Sequence, residues 1–287
     1  MVIKMFNFWY FFWLSLIGIT GVGLYYLLRN KTQKTQKIVL FSILMLALIL
    51  HFLKCFFPPY STDKERLYRD IFFINICAAN ICVFPIIFLS KSKHWKDYMF
   101  YLGLLGGGLA LIYPAEPMLK VDQTGETLDI IRFYIHHGIL LIVPLLMVML
   151  KLHTISYKRA WVAPACLLLV MLFIMLNQVL QSELGFVPLR GDDLFEIGYK
   201  NSAYIWGPDD AIGNFIAKFC PDLFKTIPVD KFAGQTKYWP WVWLVVPAFV
   251  LVTPLAFLLS LMFDLESLKA DLAVARAKCK EALQYRK

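Results

Sequence analysis

Long apolar runs separated by short polar ones dominate the chain. A helix of ~20 apolar residues is what a bilayer crossing requires. The pattern predicts seven such spans, at residues 8–28, 38–57, 71–90, 98–114, 130–150, 161–181 and 238–263. The second stops before Pro58-Pro59. The fourth carries Gly106-Gly107-Gly108, small residues that let helices approach closely in lipid. The seventh is introduced by Tyr238, Trp239, Trp241 and Trp243, rings suited to the headgroup level. The first span lacks a small-residue cleavage site and its positive charges follow the apolar stretch, so it reads as uncleaved.

Two segments break the rhythm. Residues 182–237 form a connection far longer than the rest, with Phe195, Tyr199, Tyr204, Trp206, Phe215, Phe219, Phe224 and Phe232 among turn residues. Within it, Asp209-Asp210 ahead of AIGNFIAKF reads as a capped short amphipathic helix. The expectation is a folded cap at the outer interface, with an ordered loop of no further role as the alternative. From Asp264 onward, Leu265, Leu268, Leu272, Cys279 and Leu283 recur at helical spacing among charges. This reads as a short amphipathic helix that pairs with another helix or lies on anionic lipid, or as a solvated extension of the last span.

Composition agrees with a polytopic membrane protein: 59% hydrophobic, 17% charged, mean hydropathy +0.62. The net charge of +9 sits in loops between spans, so it argues for orientation rather than for nucleic acid. The loop after span one holds four Lys/Arg, those after spans three and five hold three each, and the tail holds six. The loop after span two also holds three, beside Asp63, Glu65 and Asp70, and the loop after span four holds only Lys120. The bias places the N-terminus outside and the C-terminus in the cytoplasm. Six cysteines show no metal-ligand cadence and imply no disulfide framework.

The fifth span, IIRFYIHHGILLIVPLLMVML, carries Arg132, His136 and His137. Ionisable groups inside a span are costly and point to function. Helical rise puts Cys77 ~9 Å below the start of span three and His137 ~10 Å below the start of span five. Asn177 and Gln178, near the end of the outward-running span six, return to that level. A thiol, an imidazole and a carboxamide then converge beneath the outer headgroups. An imidazole can take the thiol proton and an amide can orient the ring; the electrophile at that depth is a lipid ester carbonyl. Each residue also has a plainer reading: Cys77 as packing, the histidines as donors to backbone carbonyls, Asn177 and Gln178 as interhelical glue. His51 and Lys54 form a second polar pair, which with Arg132 and Lys120 offers a site for a lipid phosphate.

These stretches resemble the YwaF-like integral membrane proteins of bacteria, whose animal relatives include transmembrane protein 164. The resemblance rests on INICAANICVFPIIFLSKS, GLLGGGLALIYP, RFYIHHGILL and the region of Asn177, roughly residues 70–180. It implies a seven-span helical fold. It also implies transfer of a fatty acyl chain from a phospholipid to a lysophospholipid, with the family's Cys falling on Cys77 and its His on His137. His136 has no counterpart, Leu109 stands where the family tends to have Gln, and Ile76 replaces a leucine. A related hydrolase family uses Thr with His, which makes acyl-ester hydrolysis a near neighbour.

The resulting expectation is an all-α membrane protein. A seven-transmembrane-helix bundle occupies residues 1–263 and a cytoplasmic amphipathic helix residues 264–287, in the cell membrane. The expected activity is an acyltransferase or acyl hydrolase using Cys77, His137 and Asn177, with Arg132, His136 and Gln178 toward the substrate. It involves no cofactor, no metal and no nucleic acid. Its partners are phospholipid and lysophospholipid, and a protein partner through the tail. The alternatives are a non-enzymatic assembly component, which the outer loop and tail favour, and a small transporter, for which mid-span carboxylates and an inverted repeat are missing. GxGxxG and GxxxxGK[ST] are absent.

Overall fold

A computed structural model describes residues 1–64, 67, 71, 73, 75–119, 127–185, 201, 203–227 and 233–284. Asparagine, threonine and serine start the helices of the N-terminal half. Asn7 caps α1 (Phe8–Leu28), Thr32 caps α2 (Gln33–Leu53), Asn75 caps α3 (Ile76–Leu89) and Ser92 caps α4 (Lys93–Leu102). In each, the side-chain oxygen accepts a backbone N–H of the first turn that has no intrahelical partner. A π-helical turn, Gly103–Gly107, joins α4 to α5 (Gly108–Ile112), and α6 (Ala115–Leu119) follows. Then come α7 (Thr127–Met149), α8 (Val162–Glu183), the short α9 (Ala211–Ala217), a two-residue hairpin of β1 (Lys225–Thr226) with β2 (Lys237–Tyr238), and α10 (Val245–Gln284).

Six of these stretches are long and apolar enough to cross a membrane: Phe8–Leu28, Gln33–Phe56, Lys93–Met118, Thr127–Met149, Tyr157–Glu183 and Val242–Gln284. The chain is an all-α, multi-pass membrane protein. The third expected span differs: α3 is a helix of 14 residues, shorter than the 71–90 run. Asn75 at its cap and Phe73 in a left-handed conformation (φ 46°) precede the first helical turn. Apolar composition continues through these residues, but the backbone is not helical there. The fourth begins earlier than 98, because KHWKDYMFYL is a polar, Ser92-capped entry to the same helix. The last begins at Val245, since residues 242–244 form a 3-10 turn and Trp241 has φ 62°. It runs on to Gln284 with a single break at Asp264 (φ −134°, ψ 24°).

The bundle is built around α7. Two-thirds (67%) of its apolar window is buried, against 11% for α1, and it packs on α1, α2, α3, α4, α5 and the π-turn. α8 packs instead on α3, α4 and α10. Tight approach at the π-turn explains the centre. A Cβ on Gly103 would lie 2.5 Å from the Leu140 carbonyl oxygen and 2.7 Å from the Pro144 ring. Pro144 lacks the N–H that would have bonded Leu140 O, so the freed carbonyl faces the glycine. A Cβ on Gly107 would come within 3.1 Å of His137 O. Gly103 and Gly107 therefore make the close contact expected of residues 106–108, whereas Gly106 faces open space.

Residues 203–207 fold back on the bundle. Ala203, Ile205 and Trp206 are buried, Trp241 N–H donates to Ile205 O at 2.8 Å, and Trp243 Nε1 donates to Tyr204 O at 2.9 Å. Trp243 is fully buried, so it anchors this segment inside the protein instead of standing at a headgroup surface. α9 starts at the expected place, with Asp210 Oδ1 accepting Gly213 N–H at 2.7 Å. Phe195, Tyr199 and Phe232 of the proposed cap lie outside the described residues, as do Glu65, Asp70 and Lys120.

Candidate functional site

Cys77 sits in the first turn of α3, two residues after the capping Asn75, whose Oδ1 accepts Ala78 N–H at 2.7 Å. Helical counting from residue 71 therefore does not set its depth. What does fix it is α3 itself. Tyr98 of α4 donates to Asn80 Oδ1 at 2.7 Å, both buried. His51 of α2 stands 3.1 Å from Ile71 O, and Phe73 stacks on the His51 ring at 5.5 Å. Cys77 as a residue is half-buried, and a helix N-terminus is the end of a helix that favours a negative charge.

His137 lies on α7, which packs against α3. Its Nδ1 is 2.8 Å from Phe133 O. A carbonyl only accepts, so Nδ1 carries the proton and Nε2 keeps its lone pair. The Phe133 ring, 4.1 Å away, holds the imidazole from one side. Among the described residues no hydrogen bond joins the Cys77 thiol to His137. Both, with Arg132, lie in the electrostatic field of Glu116 in α6.

His136 has the opposite proton placement. Arg132 Nη1 donates to its Nδ1 at 3.2 Å, so the proton is on Nε2. That N–H is buried without a hydrogen-bond partner among the described residues. The His136 ring is 6.2 Å from that of His51.

Arg132 belongs to a network whose other members the apolar pattern hides. Its Nε donates to Asp129 Oδ1 at 2.8 Å, a second donor of the guanidinium reaches the same oxygen, and Nη2 donates to Tyr60 OH at 3.2 Å. Tyr60 in turn donates to Asp129 Oδ1 at 3.0 Å. Asp129, Arg132 and His136 share one face of α7 at i, i+3 and i+7. That spacing was the available signal for Asp129, one residue ahead of the apolar run. Lys54 is buried, with Nζ 5.0 Å over the Tyr60 ring.

The carboxamides lie on α8. Gln178 is buried and its Oε1 accepts Trp206 Nε1 at 2.9 Å, which ties α8 to residues 203–207. Asn177 is half-buried on α8, a helix packed on α3, α4 and α10. The Phe133 carbonyl holds the His137 ring through Nδ1. Among the described residues no group of three or more His, Cys, Asp or Glu side chains is placed to hold a metal ion.

No curated protein and no solved structure matches the chain. The TMEM164 family model matches residues 5–263, everything but the first four residues and the segment beyond the last apolar run. The chain thus belongs to the TMEM164 family.

Proposed function

We propose that this protein transfers or hydrolyses acyl groups of phospholipids, with Cys77 as nucleophile and His137 as base. The observation that carries the reading is the His137 tautomer: Nδ1–H is spent on Phe133 O, which leaves Nε2 able to accept a proton. The thiol on the neighbouring helix gives its proton to Nε2 as sulfur attacks the ester carbonyl. The tetrahedral intermediate collapses to a thioester, and the lysophospholipid oxygen leaves with the proton from Nε2. A lysolipid hydroxyl or water then attacks the thioester, giving its proton to Nε2, and that proton returns to the sulfur as the acyl group departs. Glu116 stabilises the transient imidazolium, and Asn177 is the carboxamide assigned to help orient the imidazole. Arg132, His136 and Gln178 are assigned to the substrate side, Gln178 through the Trp206 contact. The sequence needs no cofactor or metal.

The bundle is read as seven-spanning, α3 supplying the short seventh crossing, in the cell membrane. The N-terminus and the 182–237 cap are placed outside and the tail in the cytoplasm, on the charge bias of the loops. The thiol and imidazole then serve the outer leaflet. To test the chemistry, purified protein and a Cys77→Ala variant are given a labelled diacylphospholipid and a lysophospholipid. Labelled product is expected from the parent protein alone; equal turnover by both removes the cysteine mechanism.

A second reading is assembly. Leu265, Leu272 and Leu283 of the tail are exposed, an apolar set that a partner helix would cover. A stoichiometric partner recovered with the full chain and lost on deletion of residues 265–287 would favour it; recovery with both would count against the tail as the docking element.

A further inference from the structure

The last helix leaves the bundle as a tail with two different sides. From the break at Asp264 to Gln284, Asp264, Leu268 and Asp271 are half-buried and every other residue is exposed. The covered side meets the turn before α8, where Tyr157 bonds Asp264 and Asp271 and Lys158 pairs with Asp271. Roughly a quarter-turn around the helix from it, Leu265, Leu272 and Cys279 recur seven residues apart. Leu265 and Leu272 are 43% and 48% exposed, although their spacing is that of a packed seam.

A seven-residue apolar repeat is the seam of a coiled coil. With Leu265, Leu272 and Cys279 at position a, Leu268, Ala275 and Ala282 fall at d. The same register puts Asp264 and Asp271 at g, and Lys269 and Arg276 at e. In a parallel pair, each g residue meets the e residue five positions further along the other helix. Asp264 then faces Lys269 of a second copy, and Asp271 faces its Arg276. Antiparallel pairing sets e against e instead, Lys and Arg against Lys and Arg. Copies that share one orientation in a membrane send their tails out on the same side, so the parallel order is the one available to them. The contacts of Asp271 with Tyr157 and Lys158 both use Oδ2, and a carboxylate has a second oxygen to offer.

We propose that this tail pairs with the same tail of a second copy of the chain, parallel and in register, along Leu265, Leu272 and Cys279. The proposal rests on the assembly reading, whose partner it names, and is independent of the acyl chemistry. Short helices are marginal in water, and Ala275, Cys279 and Ala282 make thin layers. Anchoring in one bilayer supplies the effective concentration that such a pair needs. The pair opens readily toward its C-terminal end, which leaves Cys279 reachable by thiol reagents.

Isolated membranes holding the full chain are oxidised with copper phenanthroline, and unreduced peptides are read by mass spectrometry. A disulfide joining Cys279 to Cys279 comes only from two chains, whatever the other cysteines do, and it is expected as the main product at this residue. Cys279→Ala combined with Ala277→Cys moves the thiol ~160° around the helix, away from the seam, and is expected to lower self-linkage at least about tenfold. Leu272→Asp sets two carboxylates in the seam and is expected to lower Cys279 self-linkage by at least about tenfold as well. Leu272, Ala277 and Cys279 are all exposed in the single chain, so these variants leave the bundle's own packing intact. Equal linkage at 277 and 279, unchanged linkage in Leu272→Asp, or no linkage between two Cys279 residues overturns the proposal. A stoichiometric partner of another kind, recovered in detergent and lost on deletion of residues 265–287, would overturn self-pairing and leave the assembly reading standing. A chain recovered alone and monomeric would overturn both.

Discussion

His136 and His137 differ in which nitrogen holds the proton, and in the proposed chemistry that difference separates their roles. His137 has an available lone pair at Nε2; His136 has spent its lone pair on Arg132. His137→Gln is expected to lower acyl transfer by ~10²–10⁴-fold, the usual contribution of a positioned general base, while His136→Gln keeps most of it. Rates of both variants, at matched folded fraction, check this; the reverse order would exchange the two assignments. The sequence displayed both histidines and their angular separation. It could not display the tautomers, because those depend on Phe133 O and on a guanidinium held by Asp129 and Tyr60. A second residue-scale prediction concerns Asp97. It is fully buried, 2.7 Å from His153 Nε2 and 2.5 Å from Arg159 Nε, and it ties α4 to the turn between α7 and α8. Asp97→Ala leaves both partners without their anion and is expected to cost about 3–5 kcal/mol, read as a large drop in the thermal unfolding midpoint in detergent. A midpoint within a degree or two of the parent would remove the ion pair from any structural role. Hydropathy gave no sign of it, because Asp97 lies in a polar stretch that resembles a loop until Ser92 is recognised as a cap.

Among the elements, the π-turn and α7 carry the sharpest test. Gly103→Ala would drive a methyl group onto the Leu140 carbonyl and the Pro144 ring, both rigid. α7 must then move, with overpacking of about 1–3 kcal/mol or more and a displaced His137. Gly106→Ala meets nothing within 4 Å and is expected to be neutral, or stabilising by up to about 1 kcal/mol through the lost flexibility of glycine. Thermal midpoints of the pair decide; equal effects would mean that the close approach does not hold the helices together. Composition showed a glycine-rich helix, but which glycines touch depends on a hydrogen-bond register that apolar counting ignores. The same limit explains α3. Residues 71–74 are as apolar as a span, while Phe73 has a positive φ and stacks on His51, and Asn75 caps the helix, so the thiol stands at a helix start. Asn75 is a local start signal inside the apolar run, of a kind that hydropathy does not register.

At the scale of the whole molecule, orientation decides which leaflet the proposed thiol and imidazole chemistry would serve. The tail is joined to the turn before α8: Tyr157 N–H donates to Asp264 Oδ2 at 3.0 Å, Tyr157 OH bonds Asp271, and Lys158 Nζ is 2.5 Å from Asp271 Oδ2. Tail and turn therefore share one side of the membrane. Both are rich in Lys and Arg, and such segments stay in the cytoplasm. Cys279 lies on this tail and is exposed, while Cys77 and Cys82 are half-buried and Cys166 and Cys220 buried. A membrane-impermeant maleimide added to unbroken cells is expected to leave Cys279 unmodified, and to modify it once the membrane is permeabilised, as read by mass of the peptide that contains it. The contact with residues 157 and 158 makes this a statement about the bundle as well as the tail. Modification in unbroken cells would put the turn before α8 outside, reverse every span, and move the proposed acyl chemistry to the cytoplasmic leaflet.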